Sequence, residues 1–500
     1  MVHASLRPPA LTPLLAAAVL AAACGGGGGG GSDAPSAAPT PRPSPVMPIT
    51  PPGPASSTAR IILSNGDRFA DGIVIGNIED ASLYAGTAAV LITIAESGRT
   101  GALLIREPDG TVTTAFDGRQ PDDIDGTTLS RVRAAPTGEI VFQSGRGLDS
   151  DRLHLLADGV IQTIAGAEPG PVFPDFRILG NVRIGTGGVV AFVGGGGPCE
   201  VQVGDEQPRV SCTNALYVAD TGGVTRLDDE ELELERQRPT AVRVEIDPNG
   251  GAWFSLPRRG NAPMLLHHRD GVTDVVLTAS SELPGVGLLN ALEAVAINAS
   301  GDILIEATQR ELVGERRPHV IGVLRGDSFS LLAKEGTELG GQTVATLRGL
   351  AIDGAGRALF EAGLVPPGDP SATPRASLWY GDASGLVEIV REGEPFPGEG
   401  AIVLDLQASR LNDAGDIAFT TRLGSADGGT ARVEEVRATV RRANGDLVTV
   451  ASSRHTGQLG TISSLQIVGF DAEGTLLLIA ARGASSDRVL LLGRSDGREG

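Results

Sequence analysis

An all-β ring, an eight-bladed β-propeller, is the fold this 500-residue sequence predicts, and three observations predict it. A turn-and-strand signature recurs in seven clear copies, each copy carries a second glycine-tipped hairpin, and the last copy lacks a strand that the other end of the chain supplies.

The signature is Asn/Asp-x-x-Gly, then a small or polar residue, then an apolar triplet. It is clearest at Asn412-Asp413-Ala414-Gly415-Asp416-Ile417-Ala418-Phe419. It recurs at 135–142, 185–192, 247–254 (with Asp247 and Gly250), 298–305, 353–360 (with Asp353 and Gly356) and 471–478, with a degenerate copy near Ala85 to Ile92. The chemistry is local: Asn or Asp bonds its own backbone two residues on, Gly supplies a positive φ, and β-branched or aromatic residues then begin a strand. These residues are expected to be turn formers before anything else. The second hairpin, as in LHLLADGVIQTIA and LLHHRDGVTDVVL, brings each repeat to about four short strands.

Anchor glycines at 138, 188, 250, 301, 356, 415 and 474 are spaced by 50, 62, 51, 55, 59 and 59 residues. That spacing suits one propeller blade per repeat. The last copy stops after its third strand and the turn at Ser495-Asp496-Gly497, while Ala59 to Asp67 (ARIILSNGD) matches 387–394 (VEIVREGE), the fourth strand of an internal copy. A ring needs that exchange to pair its open edges, whereas a solenoid does not. Three segments follow: a signal peptide at 1–23, a Gly/Pro-rich tether at 24–58 and the propeller at 59–500.

The first segment has one arginine, Arg7, and an apolar run from Ala10 that ends at Cys24, too short for a permanent membrane helix. Ala21-Ala22-Ala23-Cys24 followed by seven glycines resembles a lipobox, so Cys24 is expected to be acylated and the chain exported, held at the outer membrane or cell surface only through its N-terminus. Seven glycines and a proline-rich stretch contain too little apolar surface to order themselves. Cys199 and Cys212, the remaining cysteines, flank a short loop in an exported chain, and a disulfide between them is expected. The abundance of arginine over the single Lys334, with much Gly and Ala, suits a GC-rich bacterial genome.

A net charge of −20 opposes nucleic-acid binding, which needs clustered cations to displace counterions. The sequence contains no H-E-x-x-H, C-x-x-C or phosphate-binding loop. His267 and His268 occupy adjacent strand positions that face opposite ways, and His154 takes the corresponding strand of another repeat. The acidic runs 122–125 and 228–235 lack the spacing of a calcium loop. No catalytic residue, metal or cofactor is assigned.

The segment Leu411 to Phe419, with Gly393 to Gly398 before it, resembles a family of exported bacterial repeat proteins that carry tandem N-D-x-G-x-V-A-F units. That resemblance implies a β-propeller of unknown function, often anchored at the cell surface, and brings no catalytic residue with it. Only Trp253 and Trp379 are present, so the tryptophan in nearly every blade that marks the quinoprotein propellers is missing. The expected role is a monomeric surface module that binds a protein or a glycan. The alternative is an extracellular enzyme acting on a polysaccharide or small metabolite in the propeller channel.

Overall fold

The computed structural model describes residues 58–496, apart from 98–99, 120–126, 147–151, 167–176, 179–181, 196–199, 204–207, 212–213, 221–222, 228–242, 248, 257–263, 279, 314–315, 428–429, 455–461 and 484–486. Cys24, Cys199, Cys212, both acidic runs and His455 fall outside the described residues. What is described is the predicted eight-bladed propeller. Antiparallel sheets follow one another along the chain, each built from one repeat. Their first strands are Ile75–Tyr84, Thr127–Ala134, Arg183–Ile184, Arg243–Ile246, Gly287–Ile297, Gln342–Ile352, Ile402–Leu411 and Ile462–Phe470 for blades 1 to 8. First strands of successive blades contact one another, including blade 8 with blade 1, so they line the central channel.

The ring closes as the sequence requires. Arg60–Ser64 pairs antiparallel with Arg488–Arg494 as the fourth strand of blade 8, with Arg60 opposite Leu492 and Ser64 opposite Val489. The two faces of that strand are used differently. Leu63 joins blade 8 side chains Leu477, Leu490 and Leu492 against Ile75 and Ile78 of blade 1, while Ala59 and Ile61 pack toward the interface of blades 7 and 8.

The core is divided by the ring. The buried apolar residues form one cluster at each junction of neighbouring blades, from the blade 1–2 junction (Leu91, Leu103, Phe142) round to the blade 8–1 junction. Second strands such as Thr87–Ile94 (TAAVLITI) are apolar on both faces because each face meets a different neighbour.

The second hairpins turn as expected. Asp158-Gly159 (φ 50° and 74°) and Asp270-Gly271 (φ 51° and 76°) place both residues in the left-handed region, as tight two-residue hairpin turns require. The degenerate first copy differs from the others: its turn shrinks to Ala85-Gly86 (φ 42° and 77°) between paired Tyr84 and Thr87. Blade 3 carries an additional hairpin, Glu200–Val203 with Pro208–Ser211, in which Glu200 faces Ser211.

First strands are also bulged, a feature the repeat pattern did not announce. Register shifts fall at Ile78/Asp80, Ser130/Val132, Ala294/Ala296, Gly349/Ala351 and Leu406/Ser409. Bulging frees backbone N–H groups from the ladder, and acceptors from the preceding blade take them. Val132 N–H donates to Asp80 (3.0 Å), Ala294 to Ser255 Oγ (2.7 Å), Gly349 to Glu306 (3.0 Å) and Leu406 to Glu392 (3.2 Å).

Candidate functional site

The signature residues are structural latches. Asp353 Oδ1 accepts from the N–H groups of Ala355 and Arg357, and Asp247 Oδ1 from those of Asn249 and Gly251, so each carboxylate closes its own turn. Asn298 and Asn412 do the same with Oδ1, then reach the next blade with Nδ2: Asn298 donates to Asp353 O (2.8 Å) and Asn412 to Asp471 O (3.0 Å). Gly354 N–H donates to Asp413 O and Gly86 N–H to Asp471 Oδ2. The turns of blades 5, 6, 7, 8 and 1 are thus hydrogen-bonded in series around one face.

The signature glycines are required by φ and by space. Gly250, Gly356 and Gly415 have φ of 83°, 77° and 86°. A side chain at Gly415 would start 2.6 Å from Tyr380 Oη. That hydroxyl donates to Asp353 Oδ2 at 2.5 Å, and burial together with Asp353 raises its pKa. In blade 4, burial pushes the Asp247 carboxyl up, but His267, the Gly251 N–H and Trp253 Nε1 outweigh it and hold the pKa down to about 2.

The histidines are where strand alternation puts them. His267 stacks on Trp253 with ring centroids 4.1 Å apart, while His268 bonds Thr273 Oγ1 at 2.8 Å, so the pair faces opposite sides. His154 is 5% exposed, stacked on Phe142, with Ser144 Oγ 2.7 Å from Nε2 and Thr163 Oγ1 3.1 Å from Nδ1. Burial, with Arg152 nearby, lowers its pKa to about 4. Ser144 is itself buried, so this serine–histidine contact fills an interior rather than a cleft.

The channel shows what the sequence reading missed. Described first strands carry six arginines (131, 133, 183, 243, 348, 410) against five carboxylates (Glu79, Asp80, Glu245, Glu293, Asp405), in a chain of net charge −20. Arg133 pairs with Asp80 (3.1 Å), Arg183 with Glu245 (3.1 Å), and Arg243 with Glu293 (2.5 Å). Arg131, Arg348 and Arg410 have no carboxylate partner among the described residues.

Arg133, Arg183 and Arg410 are equivalent by position and posture. Each stands two residues before its blade's turn, and each donates Nη1 to the carbonyl of the residue before it, at 2.6, 3.3 and 3.1 Å. Arg410 is solvent-exposed, yet protein around it lowers its pKa by desolvation, and Arg133, Arg183 and Arg348 lower it further. Exposure together with desolvation is what a side chain in a narrow wet channel experiences. Aligning the repeats on their turns would have revealed this column of arginines; reading each turn by itself does not.

Three clefts open near these elements. One of about 340 Å³ lies where blades 2 and 3 meet, lined by Arg131, Arg133, Phe142, Gln143 and Arg183. A second, of about 300 Å³, lies among the turns of blades 1, 2, 7 and 8 and includes Asn412, Asp413 and Asp471. The third, of about 410 Å³, lies beside the blade 6 loop 366–375 and is lined by Gln342, Leu364, Thr373, Arg375, Arg391 and Glu394. Among the described residues no group of His, Cys, Asp or Glu is arranged to hold a metal ion, and no helix is long and apolar enough to cross a membrane.

Comparisons with known proteins add the following. A family of unknown function (DUF7453) matches residues 259–481. No curated protein matches. Among solved structures, the WD40 domain of SCAP from fission yeast aligns at 10% identity and TM-score 0.46, covering 88% of this chain and 98% of that one. The β-propeller domain of the Trilobed protease from Pyrococcus furiosus aligns at 10% and 0.40, covering 83% and 95%. Acylaminoacyl peptidase from Pyrococcus horikoshii aligns at 11% and 0.42, covering 81% of this chain, which spans only 57% of that enzyme.

Proposed function

We propose that this chain is an exported propeller, tethered through an acylated Cys24 and the linker 24–58, that serves as a surface binding module for a glycan or a protein. The observation that carries the reading is the 410 Å³ cleft beside 366–375. There Gln342, Thr373, Arg375, Arg391 and Glu394 offer planar and hydroxyl hydrogen-bonding groups around Leu364 and Pro366, a mixture suited to an oriented polar ligand such as a sugar. The bridge between Cys199 and Cys212 belongs to the same reading: the strands between them pair with Glu200 opposite Ser211, their immediate sequence neighbours. Closing so short a loop contributes on the order of 3 kcal/mol.

A thermal-shift screen of the full chain against bacterial polysaccharides tests the glycan reading. A ligand at a hundred times its Kd stabilises by roughly 2.7 kcal/mol. A glycan that raises Tm for the parent but not for a Thr373→Tyr variant, which fills the cleft, supports the reading. A flat panel eliminates glycans and leaves a protein partner.

Glu361 favours a second reading, an enzyme acting on a polysaccharide or small metabolite. Burial raises its pKa, Arg348 opposes the rise, and Glu392 and Asp405 add to it, which is the tuning a proton donor needs. On that reading Glu361→Gln abolishes a hydrolytic activity of the parent. Equal turnover by both proteins would sink it.

A further inference from the structure

We infer that the cleft between blades 2 and 3, at the wall of the channel, is a binding site for a small oxyanion, a carboxylate or phosphate ester about the size of one sugar acid. The inference rests on the binding-module reading and names a ligand class and a site for it.

Charge comes first. Arg131 and Arg133 from blade 2 and Arg183 from blade 3 line a cleft of about 340 Å³, at the small end of the roughly 300–1,000 Å³ of ligand pockets. The carboxylates nearby are already engaged: Asp80 holds Arg133 and the Val132 N–H, and Glu245 holds Arg183 and Arg243. Among the described residues Arg131 has no such partner, nor has Arg410, which feels the charges of Arg133 and Arg183. Three guanidinium groups share this cleft, and that of Arg131 has no carboxylate partner among the described residues, so an oxyanion would find an unmatched positive charge there.

An uncharged donor gives independent support. Gln143 lines the same cleft, is only 3% exposed, and its Nε2 has no hydrogen-bond partner. Leaving a buried amide N–H unsatisfied costs about 1–3 kcal/mol, and no neighbour among the described residues recovers it. An acceptor oxygen on a bound ligand would. Gln143 sits eight residues after the start of its turn, where Ser255 and Glu306 of blades 4 and 5 accept from bulged first strands.

The backbone agrees. Arg131 lies at the register shift of the blade 2 first strand with φ 55°, a conformation that costs of order 1–3 kcal/mol for a residue with a side chain. That strained residue lines the cleft and forms no ion pair with a described residue.

Isothermal titration calorimetry on the full chain tests the inference with sodium D-glucuronate, glucose 6-phosphate and neutral glucose as probes. The expected result is binding of one or both anions, weakened by added salt, with no heat from glucose. The two anionic arms tell a carboxylate ligand from a phosphate ligand. Arg131→Ala with Arg410→Ala, residues that hold no ion pair, is expected to weaken the anion at least tenfold while Tm stays within a degree. Gln143→Leu, which removes the unsatisfied amide, is expected to weaken it severalfold and leave Tm unchanged or higher. Equal response to glucose, an affinity untouched by the arginine pair, or no binding of either anion overturns the inference. Glycan shifts that persist in the arginine variant would still support the binding module through its other cleft, so the two failures are distinguishable.

Discussion

Asn412 and Asp353 occupy the same turn position in neighbouring blades, and the difference between amide and carboxylate is used. Both close their own turn with Oδ1, but Asn412 carries an Nδ2 that reaches Asp471 O, whereas Asp353 offers Oδ2 to Tyr380 and Arg357. Asn412→Asp therefore keeps the turn and breaks the link to blade 8, and should cost about 1–2 kcal/mol in denaturant unfolding. A loss below a few tenths would show that the latch contributes nothing. His154 makes a pH prediction. Its folded pKa of about 4 lies below the ordinary 6.5, so the unfolded chain binds the proton more readily. Its contribution is complete above pH 6.5 and fades as pH falls toward 4, by roughly 3 kcal/mol. His154→Phe should flatten the fall of Tm between pH 6.5 and 4; a slope equal to the parent's would mean that other groups set it. At this scale the turn residues were legible because their chemistry is local. The arginines and Gln143 were not, since their meaning depends on which blades meet across a channel.

Strands and hairpins were read well from sequence wherever glycine and the Asp/Asn turn fixed the chain's direction, as at Asp158-Gly159 and Asp270-Gly271. The bulges escaped notice because they answer a neighbouring blade: Gly349 is freed where Glu306 can receive it. The short first strand of blade 3, Arg183–Ile184, was likewise hidden behind a turn whose glycines read like the others. The closing strand is the element with most at stake. Deleting Ala59 to Gly66 exposes Leu63 and Ile61 contacts on two junctions and opens the edge of Arg488–Arg494. The expected loss is on the order of 5 kcal/mol from side-chain burial and ladder bonds together. An unchanged Tm would show that the ring does not depend on its first strand.

Over the whole molecule, the apolar core among the described residues is eight clusters, each shared by two blades. Calorimetry should accordingly show one transition, with van't Hoff and calorimetric enthalpies equal; two resolved peaks would mean that some junction is uncoupled from the rest. The architecture was legible because a ring leaves an arithmetic trace, a strand missing at one end and present at the other. Which surface binds left no such trace, since a propeller's ligand groups come from separate blades and adopt no linear motif. The closing strand also decides where tension enters. Thr58 and Ala59 donate to Val450 O of blade 7, and Thr58 Oγ1 to Arg494 O of blade 8, just ahead of the strand itself. Any pull from the N-terminal side meets this clasp across two blades before it can peel the strand, so mechanical work is spread over a junction rather than concentrated on the last pair of a zipper.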